Sequence, residues 1–271
     1  MSRISSALGG RLVGSLRPTY LRHLAHPLTR SFEDPASTWW PEGRFSELFA
    51  AHGGRVAHKW LHYFDIYDEL FAGYLDGVVD DDGTRRPLRF LEIGVSKGGS
   101  LELWRSYFGD EAVIVGIDVN PDCALLDGDG LTVRIGSQDD TEFLRSVVAE
   151  MGGVDVVLDD GSHVAAHQRA SFDVLFPMLS ANGLYVIEDT CTAYWASFGG
   201  GYRRPGQIIE MAKSMVDGLT QWAHRWPMTR RQRLAAAEVR SISFYDGMLA
   251  VRKGRRRQPE VRRTIPKPLE P

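Results

Sequence analysis

Two pairs of adjacent acidic residues each end a short stretch of aliphatic and β-branched residues. The first pair is Asp159-Asp160 and the second is Glu188-Asp189. Carboxylates at the ends of buried strands are costly unless a positive group joins them, and hard divalent cations prefer such oxygen ligands. His163 follows Asp160 by three positions and supplies an imidazole that can act as a base. The residue types and their spacing predict a catalytic site that combines a metal ion with a base.

Alternating strands and helices must position these acids. Five apolar stretches have the length and composition of buried strands, and helical patterns separate them. The predicted strands are residues 89–93, 113–117, 132–135, 154–158 and 184–187. Residues 239–244 and 248–251 then alternate at period two around Tyr245-Asp246-Gly247, which is typical of a hairpin. The pattern predicts a parallel sheet with helices on both faces, closed by an antiparallel hairpin.

Helix boundaries are predicted from residues that cap or break helices. Ser100 and Asp140 are suited to begin helices, and Gly152-Gly153 is suited to end one. A further helix is expected to end at Asn182-Gly183. Upstream of the sheet, apolar residues recur at helical spacing from residue 39 to residue 75, so a helical preface is expected.

The composition limits the class of protein. The chain has 271 residues, of which 43% are hydrophobic, as expected for a globular protein with a full core. No apolar stretch approaches the roughly 20 residues that cross a bilayer, so no membrane span is expected. Cys123 and Cys191 are the only cysteines, which indicates neither a disulfide framework nor a thiolate metal site. We therefore predict a reducing, cytoplasmic location.

Positive charge is concentrated at the two ends of the chain. Residues 1–32 contain five arginines and no acid, and residues 253–271 contain seven basic and two acidic residues. The remaining body is acidic, which disfavours binding to nucleic acid. Residues 1–38 are predicted to form an N-terminal arm that could pack on a second subunit, although the composition also fits a transit peptide. Residues 254–271 are predicted to be a disordered basic tail.

The turn after the first strand is the predicted cofactor end of the sheet. Its sequence, Leu91 to Ser100, has glycines at Gly94 and Gly98 but lacks the G-x-G-x-x-G pattern of dinucleotide sites. Glu92 would repel a pyrophosphate and attract an ammonium or sulfonium group. S-adenosylmethionine carries both cations and no phosphate, so we predict it as the cofactor.

Further polar residues lie at the ends of the later strands. Asp118, 24 positions after Gly94, is suited to accept hydrogen bonds from ribose hydroxyls. Ser137 and Gln138 could contact the adenine edge, and Asp159 could face the cofactor or cap the next helix. The alternative is that these residues, like Glu92, only cap helices. The predicted cofactor-binding residues are Glu92, Gly94, Gly98, Ser100, Asp118, Ser137, Gln138 and Asp159.

At motif level, part of the chain resembles the class I methyltransferases, and specifically the metal-dependent sugar O-methyltransferases of the macrolide-tailoring, mycinamicin type. The matching segments are Leu91-Glu92-Ile93-Gly94-Val95, Gly98-Gly99-Ser100-Leu101, Gly116-Ile117-Asp118, Asp159-Asp160-Gly161-Ser162-His163, Glu188-Asp189-Thr190, Tyr194-Trp195 and His58-Lys59-Trp60. The resemblance implies a Rossmann-like seven-stranded sheet, a Mg²⁺ ion held by Asp160, Glu188 and Asp189, and His163 as the general base.

These expectations define a function and a domain plan. The plan is an arm over residues 1–38, a helical preface over 39–79, a methyltransferase domain over 80–253 and the tail over 254–271, with residues 194–237 covering the acceptor. The predicted reaction is Mg²⁺-dependent methyl transfer from S-adenosylmethionine to a sugar or glycoside hydroxyl, in natural-product or polysaccharide biosynthesis. The alternatives are a catechol-like phenolic acceptor and a non-catalytic cofactor-binding subunit. Homo-oligomer formation is possible.

Overall fold

A computed structural model describes residues 39–128, 130–257 and 259–262. The predicted N-terminal arm and most of the predicted basic tail lie outside these residues. From Pro41 onward the described residues pack as one compact unit. None of the helices in these ranges is long and apolar enough to cross a membrane.

The sheet has seven strands, and a separate two-stranded hairpin precedes it. The hairpin is formed by β1 (Val78–Val79) and β2 (Arg85–Arg86). The sheet strands are β3 (Arg89–Ile93), β4 (Val113–Asp118), β5 (Thr132–Ile135), β6 (Val154–Asp159), β7 (Leu179–Ile187), β8 (Val239–Phe244) and β9 (Leu249–Lys253). Their order is β5-β4-β3-β6-β7-β9-β8, and β9 pairs antiparallel with both β7 and β8. The predicted parallel sheet with an antiparallel terminal hairpin is confirmed.

Seven α-helices lie in the described ranges. They are α1 (Arg44–Ala51), α2 (Phe64–Phe71), α3 (Gly99–Phe108), α4 (Thr141–Glu150), α5 (Ala165–Met178), α6 (Ile208–Leu219) and α7 (Arg230–Glu238). Short 3₁₀ helices occupy Leu61–Tyr63, Ala72–Tyr74, Pro121–Leu126, Thr190–Tyr194, Ala196–Phe198 and Gln221–Ala223. The predicted helical preface therefore corresponds to α1, α2 and the 3₁₀ turns beside them.

Each face of the sheet carries its own hydrophobic core. Because side chains alternate along a strand, Phe90 faces one core and its neighbour Leu91 faces the other. The core on the Phe90 side includes Trp104 of α3 and Tyr67 of α2, so the preface helices cover this face. The core on the Leu91 side includes residues of α4, α5 and α6. The preface is thus an integral layer on the Phe90 face of the sheet.

Two predicted helix boundaries are wrong and two are confirmed, one of them the end of α4 at Glu150, just before Gly152-Gly153. Asp140 is the N-cap of α4, and its side chain accepts hydrogen bonds from two backbone amides. Ser100 does not cap α3, because Gly98 holds the cap position and the Ser100 hydroxyl donates to Glu92 instead. Asn182-Gly183 lies within β7, since α5 already ends at Met178 and the chain is extended from Leu179 onward.

A buried carboxylate ties the start of β6 to the β2–β3 connection. Asp155 is fully buried and accepts a bidentate pair from the Arg86 guanidinium, at 2.6 and 2.7 Å. Arg89 adds its backbone amide at 2.9 Å and its side chain. Burial opposes ionisation of Asp155, but the hydrogen bonds from the two arginines outweigh it and lower its pKa to about 2. The ionised carboxylate is therefore the form that stabilises the fold.

We expect Asp155→Asn to lower the free energy of unfolding at pH 7 by about 3–5 kcal/mol, because it leaves two arginines without their buried partner. Asp155 has a lowered pKa in the folded state, so its contribution is present above the unfolded value near 3.8 and is lost as the pH falls toward about 2. The difference between variant and wild type should shrink across that interval in urea titrations.

Asp173→Asn is the matched control. Asp173 pairs with Arg231 where both side chains are substantially exposed, and such pairs contribute only about 0–1 kcal/mol. An equal loss of stability in both variants would contradict the assignment of a special role to Asp155.

Candidate functional site

Three acids at the ends of neighbouring strands lie on the same face of the sheet. Glu92 is in β3, Asp160 follows β6 and Glu188 follows β7, and these strands are adjacent in the order β3-β6-β7. Each acid lies two positions after a residue of the core beneath the preface, so the alternation turns it toward the preface. Those core residues are Phe90, Leu158 and Val186. Glu92 and Glu188 are almost completely buried.

A lysine of the preface lies among these acids. Lys59 Nζ donates to Asp160 Oδ2 at 2.6 Å and to the two Glu188 oxygens at 3.0 and 3.2 Å. It also lies 3.8 Å from Glu92 Oε1. Burial opposes the charged form of the amine, but Asp160, Glu188 and Glu92 raise the pKa of Lys59 above its usual range. Lys59 is therefore a permanent cation inside the site.

Aromatic residues of the preface hold the remaining acid. Asp189 Oδ1 accepts hydrogen bonds from Trp60 Nε1 at 3.0 Å and from the Tyr63 hydroxyl at 2.9 Å. The Tyr67 hydroxyl donates to Glu188 Oε1 at 2.6 Å. Burial raises the pKa of Tyr67, so this hydroxyl keeps its proton and remains a donor. The segment from Lys59 to Tyr67 thus supplies donors to three acids.

The oxygens that face away from the preface meet at His163. His163 Nε2 lies 3.9 Å from Asp160 Oδ1 and 3.8 Å from Asp189 Oδ2. His163 and Asp189 both have left-handed backbone conformations, with φ of 55° and 49°. Such conformations are unfavourable for residues other than glycine and concentrate at functional sites.

The donor set fits a hard divalent cation. One ligand atom each from Asp160, His163 and Asp189 lie within 4.8 Å of one another, and no other such group of ligating side chains occurs among the described residues. Carboxylate oxygens suit Mg²⁺, and the imidazole Nδ1 is buried without a hydrogen-bond partner in the described chain. Glu188, the third predicted ligand, is outside this group, and Lys59 donates to both of its oxygens.

A cavity of about 310 Å³ opens beside this cluster, at the carboxyl ends of β3 and β4. This volume is at the lower end of the range for small-molecule sites. Its lining includes Gly94, Ser96, Asp118, Ser137, Gln138, Asp160 and His167. A larger depression of about 590 Å³ lies at the opposite ends of these strands, near β1 and β2. Ligands of open α/β sheets bind at the carboxyl ends, so the smaller cavity is the candidate site.

Gly94 and Asp118 form the turn beside this cavity. Gly94 has φ of 98°, and a Cβ atom there would lie 2.2 Å from the Asp160 carbonyl oxygen, so only glycine fits. Asp118 accepts hydrogen bonds from the amides of Val95 at 2.9 Å and Ser96 at 3.0 Å, and from Asn120 at 2.8 Å. Asp118 thus holds the turn in shape as well as lining the cavity.

Gln138 and Asp159 are used inside the protein. Gln138 donates to Asp159 at 3.1 Å and accepts from the Ser162 amide at 2.7 Å, so its amide group is already bonded at both ends. Asp159 is fully buried and also accepts from Ser171 and Tyr185. It projects to the face opposite Asp160 and does not line the cavity. Asp159 therefore positions Gln138, which alternation along β6 could have indicated.

Three other predicted cofactor residues lie behind the cavity wall. Gly98 is the N-cap of α3, and Ser100 and Trp104 of α3 donate to Glu92 Oε1. None of Gly98, Ser100 and Glu92 lines the cavity. Glu92 was predicted to attract a cationic ligand, but the chain itself places Lys59 beside it. Burial raises the pKa of Glu92 to about 7, and its Oε2 atom has no partner among the described residues.

Sequence reasoning assigned no role to Lys59 and His167. Lys59 lies about a hundred positions from the acids it contacts, and its only signal was its place in the family-like His58-Lys59-Trp60 segment. His167 lines the cavity, accepts or donates at Nδ1 with Ser162 at 2.9 Å, and lies 3.5 Å from Asp139. Its spacing of four positions from His163 was the available signal.

Residues 194–237, the predicted acceptor cover, include both core and exposed parts. Met211 and Met215 of α6 and Ala235 of α7 are buried in the core on the Leu91 side. By contrast, Trp222 and Trp226 are largely exposed, so they are not core residues. Near the acids, the Phe198 ring lies 6.4 Å from that of His163, and Trp195 lies beside Phe198. A covering function for the segment stays a prediction.

Curated proteins similar to this chain are sugar O-methyltransferases. The chain is 36% identical over 223 residues to 8-demethyl-8-(2-methoxy-alpha-L-rhamnosyl)-tetracenomycin-C 3'-O-methyltransferase of Streptomyces olivaceus, a match that covers 79% of the chain and 54% of the relative. It is 34% identical to mycinamicin VI 2''-O-methyltransferase of Micromonospora griseorubida, over 78% of the chain and 53% of the relative. No family model matches the chain.

Solved structures give the same relationship. The methyltransferase MycE of the mycinamycin biosynthetic pathway, in complex with Mg and SAH, matches with a TM-score of 0.67 and 31% sequence identity. This match covers 92% of the chain and 62% of MycE. A complex of MycE that also contains mycinamycin VI matches with a TM-score of 0.64 and 28% identity.

The chain spans about half the length of the curated relatives it matches. Within that span, the strand order, the antiparallel end strands and the sequence identity agree with one another. The chain therefore has the class I methyltransferase fold and belongs among the homologues of the macrolide- and tetracenomycin-sugar O-methyltransferases.

Proposed function

We propose that the protein transfers a methyl group from S-adenosylmethionine to a hydroxyl of a sugar in a glycosylated natural product, and that the reaction depends on Mg²⁺. The observation that carries the proposal is the cluster of Asp160, His163 and Asp189 beside the cavity at the carboxyl ends of the strands. The relatives' sugar specificity and the Mg and SAH bound by MycE agree with this chemistry.

The cofactor would occupy the cavity beside Gly94. Gly94 lines this cavity, and the Asp118 carboxylate borders the same space for ribose hydroxyls. Ser137 stays a candidate for contact with the adenine of the cofactor, whereas Gln138 would contribute only its exposed surface. The methyl group then has to point toward Asp160, which borders both the cavity and the acid cluster.

Asp160 and Asp189 would hold the metal, with Glu188 as a third ligand if Lys59 releases one of its oxygens. When bound there, a divalent cation supplies positive charge that lowers the pKa of a neighbouring hydroxyl. The carboxylates fix the position of the acceptor relative to the cofactor, and such orientation can contribute up to about 7–11 kcal/mol in ideal cases.

His163 would take the acceptor proton at Nε2. This nitrogen lies 3.9 Å from Asp160 Oδ1 and 3.8 Å from Asp189 Oδ2, whereas Nδ1 is buried. As the hydroxyl oxygen attacks the sulfonium methyl, the C–S bond breaks, S-adenosylhomocysteine leaves and the proton passes to the imidazole. Phe198 and Trp195 beside the ring offer aromatic faces against which the apolar face of a sugar can pack.

The proposal is tested by incubating the protein with S-adenosylmethionine and Mg²⁺, and separately with rhamnosylated or other deoxysugar glycosides and with catechols. We expect methylated glycosides by mass spectrometry and little methylation of catechols. Preferred methylation of catechols would replace the acceptor class, and cofactor binding without turnover on any acceptor would indicate a non-catalytic subunit. Homo-oligomer formation and cytoplasmic location stay predictions.

We expect Asp118→Asn to weaken binding of S-adenosylhomocysteine about 10- to 100-fold, because hydrogen bonds to a charged group contribute about 1.5–3 kcal/mol. The change removes the charge that holds the turn amides and faces the ribose. Calorimetric titration measures this affinity. Asp122→Asn is the control, since Asp122 is exposed and does not line the cavity; equal affinities for the two variants would exclude a role for Asp118.

A further inference from the structure

The Lys59 ammonium is enclosed by the acids of the site. The side chain is only 2% exposed, and it extends from the preface to two acids that follow different strands of the sheet. It lies within 3.2 Å of one Asp160 oxygen and both Glu188 oxygens. A lysine that served only to neutralise a buried acid would need one such partner, so the shared contacts call for a more specific explanation.

The preface determines which carboxylate oxygens of Asp160 and Asp189 face His163. Lys59 takes Asp160 Oδ2, and the other oxygen, Oδ1, is the one directed toward His163. Trp60 and Tyr63 likewise take Asp189 Oδ1, and Oδ2 is directed toward His163. Two acids from separate strand ends therefore present one oxygen each at the same point, and the donors behind them come from one short segment.

We propose that Lys59 is a positioning residue for the divalent cation: it anchors Asp160 and Glu188 from behind so that Asp160 presents Oδ1 beside Asp189 Oδ2. This inference rests on the proposed function. It assigns to Lys59 a role in metal affinity without contact between the lysine and the metal, the acceptor or the cofactor.

The charges of the cluster agree with this role. Four acids, Glu92, Asp160, Glu188 and Asp189, gather near the single ammonium of Lys59, so acidic groups outnumber the basic one at the point where a divalent cation would bind. Without the ammonium, Asp160 and Glu188 would repel one another and lose the donor that sets their orientation.

The test compares Mn²⁺ binding by the wild type, Lys59→Met and Lys59→Gln, with free Mn²⁺ measured by electron paramagnetic resonance. Loss of residues that orient metal ligands commonly lowers metal affinity about 10- to 100-fold, and we expect Lys59→Met to fall in this range. Lys59→Gln should lie between Met and wild type, because its amide can donate to one acid. Lys213→Met, which removes an exposed lysine paired with Glu210 on α6, should bind Mn²⁺ like the wild type.

Affinity for S-adenosylhomocysteine and the circular dichroism spectrum of Lys59→Met should remain those of the wild type, since Lys59 does not line the cavity. Unchanged Mn²⁺ binding by Lys59→Met would mean that the ammonium does not position the ligands. Tighter binding would mean that the ammonium competes with the ion. Either result overturns the inference. If Lys59→Met does not fold, wild-type affinity in Lys59→Gln overturns it equally. A wild type that binds no Mn²⁺ also does so.

The two proposals fail in different experiments. Methyl transfer by the wild type, together with Mn²⁺ binding that does not depend on Lys59, would leave the proposed function standing and remove the inference. Lys59-dependent Mn²⁺ binding in a protein that methylates no glycoside would do the reverse.

Discussion

His163→Ala is expected to lower kcat for glycoside methylation by about 10²- to 10⁴-fold, the usual contribution of a general base. The variant removes the imidazole whose Nε2 lies 3.9 Å from Asp160 and 3.8 Å from Asp189. Because His163 does not line the cofactor cavity, binding of S-adenosylhomocysteine should be retained. Single-turnover methyl transfer measures the rate, and calorimetry measures the affinity.

His224→Ala provides the comparison for a histidine outside the site. His224 follows α6 and hydrogen-bonds the carbonyl oxygen of Asp217 in that helix. It contacts none of the acids of the cluster. Its kcat should match that of the wild type. A near-normal kcat in His163→Ala would remove His163 as the base and leave activation of the hydroxyl to the metal site alone.

Chelation of divalent cations with EDTA should lower methyl transfer by about 10²-fold or more, corresponding to about 3 kcal/mol or more of the barrier, and added Mg²⁺ should restore it. The reason is that a cation held by the acids of the cluster would orient the acceptor and lower the pKa of its hydroxyl. Rates are measured before chelation, after chelation and after restoration of Mg²⁺.

Asp189→Asn should reproduce the chelated state and resist rescue by Mg²⁺, because it removes one of the two oxygens directed at His163. The circular dichroism spectrum after chelation controls for unfolding. Full activity in excess EDTA, with the fold intact, would show that the acids act without a metal ion.

Much of this site could be predicted because its acids stand at the ends of strands of a parallel sheet. The predicted strands before Asp160 and Glu188 put both acids at the same edge of a parallel sheet, and the structure shows that these two strands are neighbours. The alternation of side chains along strands also separates Asp160 from Asp159, which projects to the opposite face and bonds Gln138. Asp159 was predicted to bind the cofactor because it adjoins Asp160 in the chain, but it lies on the other face of the sheet.

The contacts made by the preface could not be derived in the same way. Lys59 lies on a segment without strand periodicity, and its partners depend on how the preface packs against α3 and the sheet. Ser100 shows the same limitation at short range: its position suited an N-cap, but the buried Glu92 carboxylate took its hydroxyl. Local patterns predict elements well, whereas the partner of a polar side chain depends on which other elements approach it.

The central claim is that a divalent cation binds between Asp160 and Asp189, beside His163. A crystal structure of the protein with Mn²⁺ and S-adenosylhomocysteine, with anomalous diffraction recorded for manganese, tests it most directly. We predict one anomalous peak in contact with carboxylate oxygens of both aspartates, next to the occupied cofactor cavity. A cofactor-bound structure with no peak there, or with the two carboxylates directed apart, would contradict the claim.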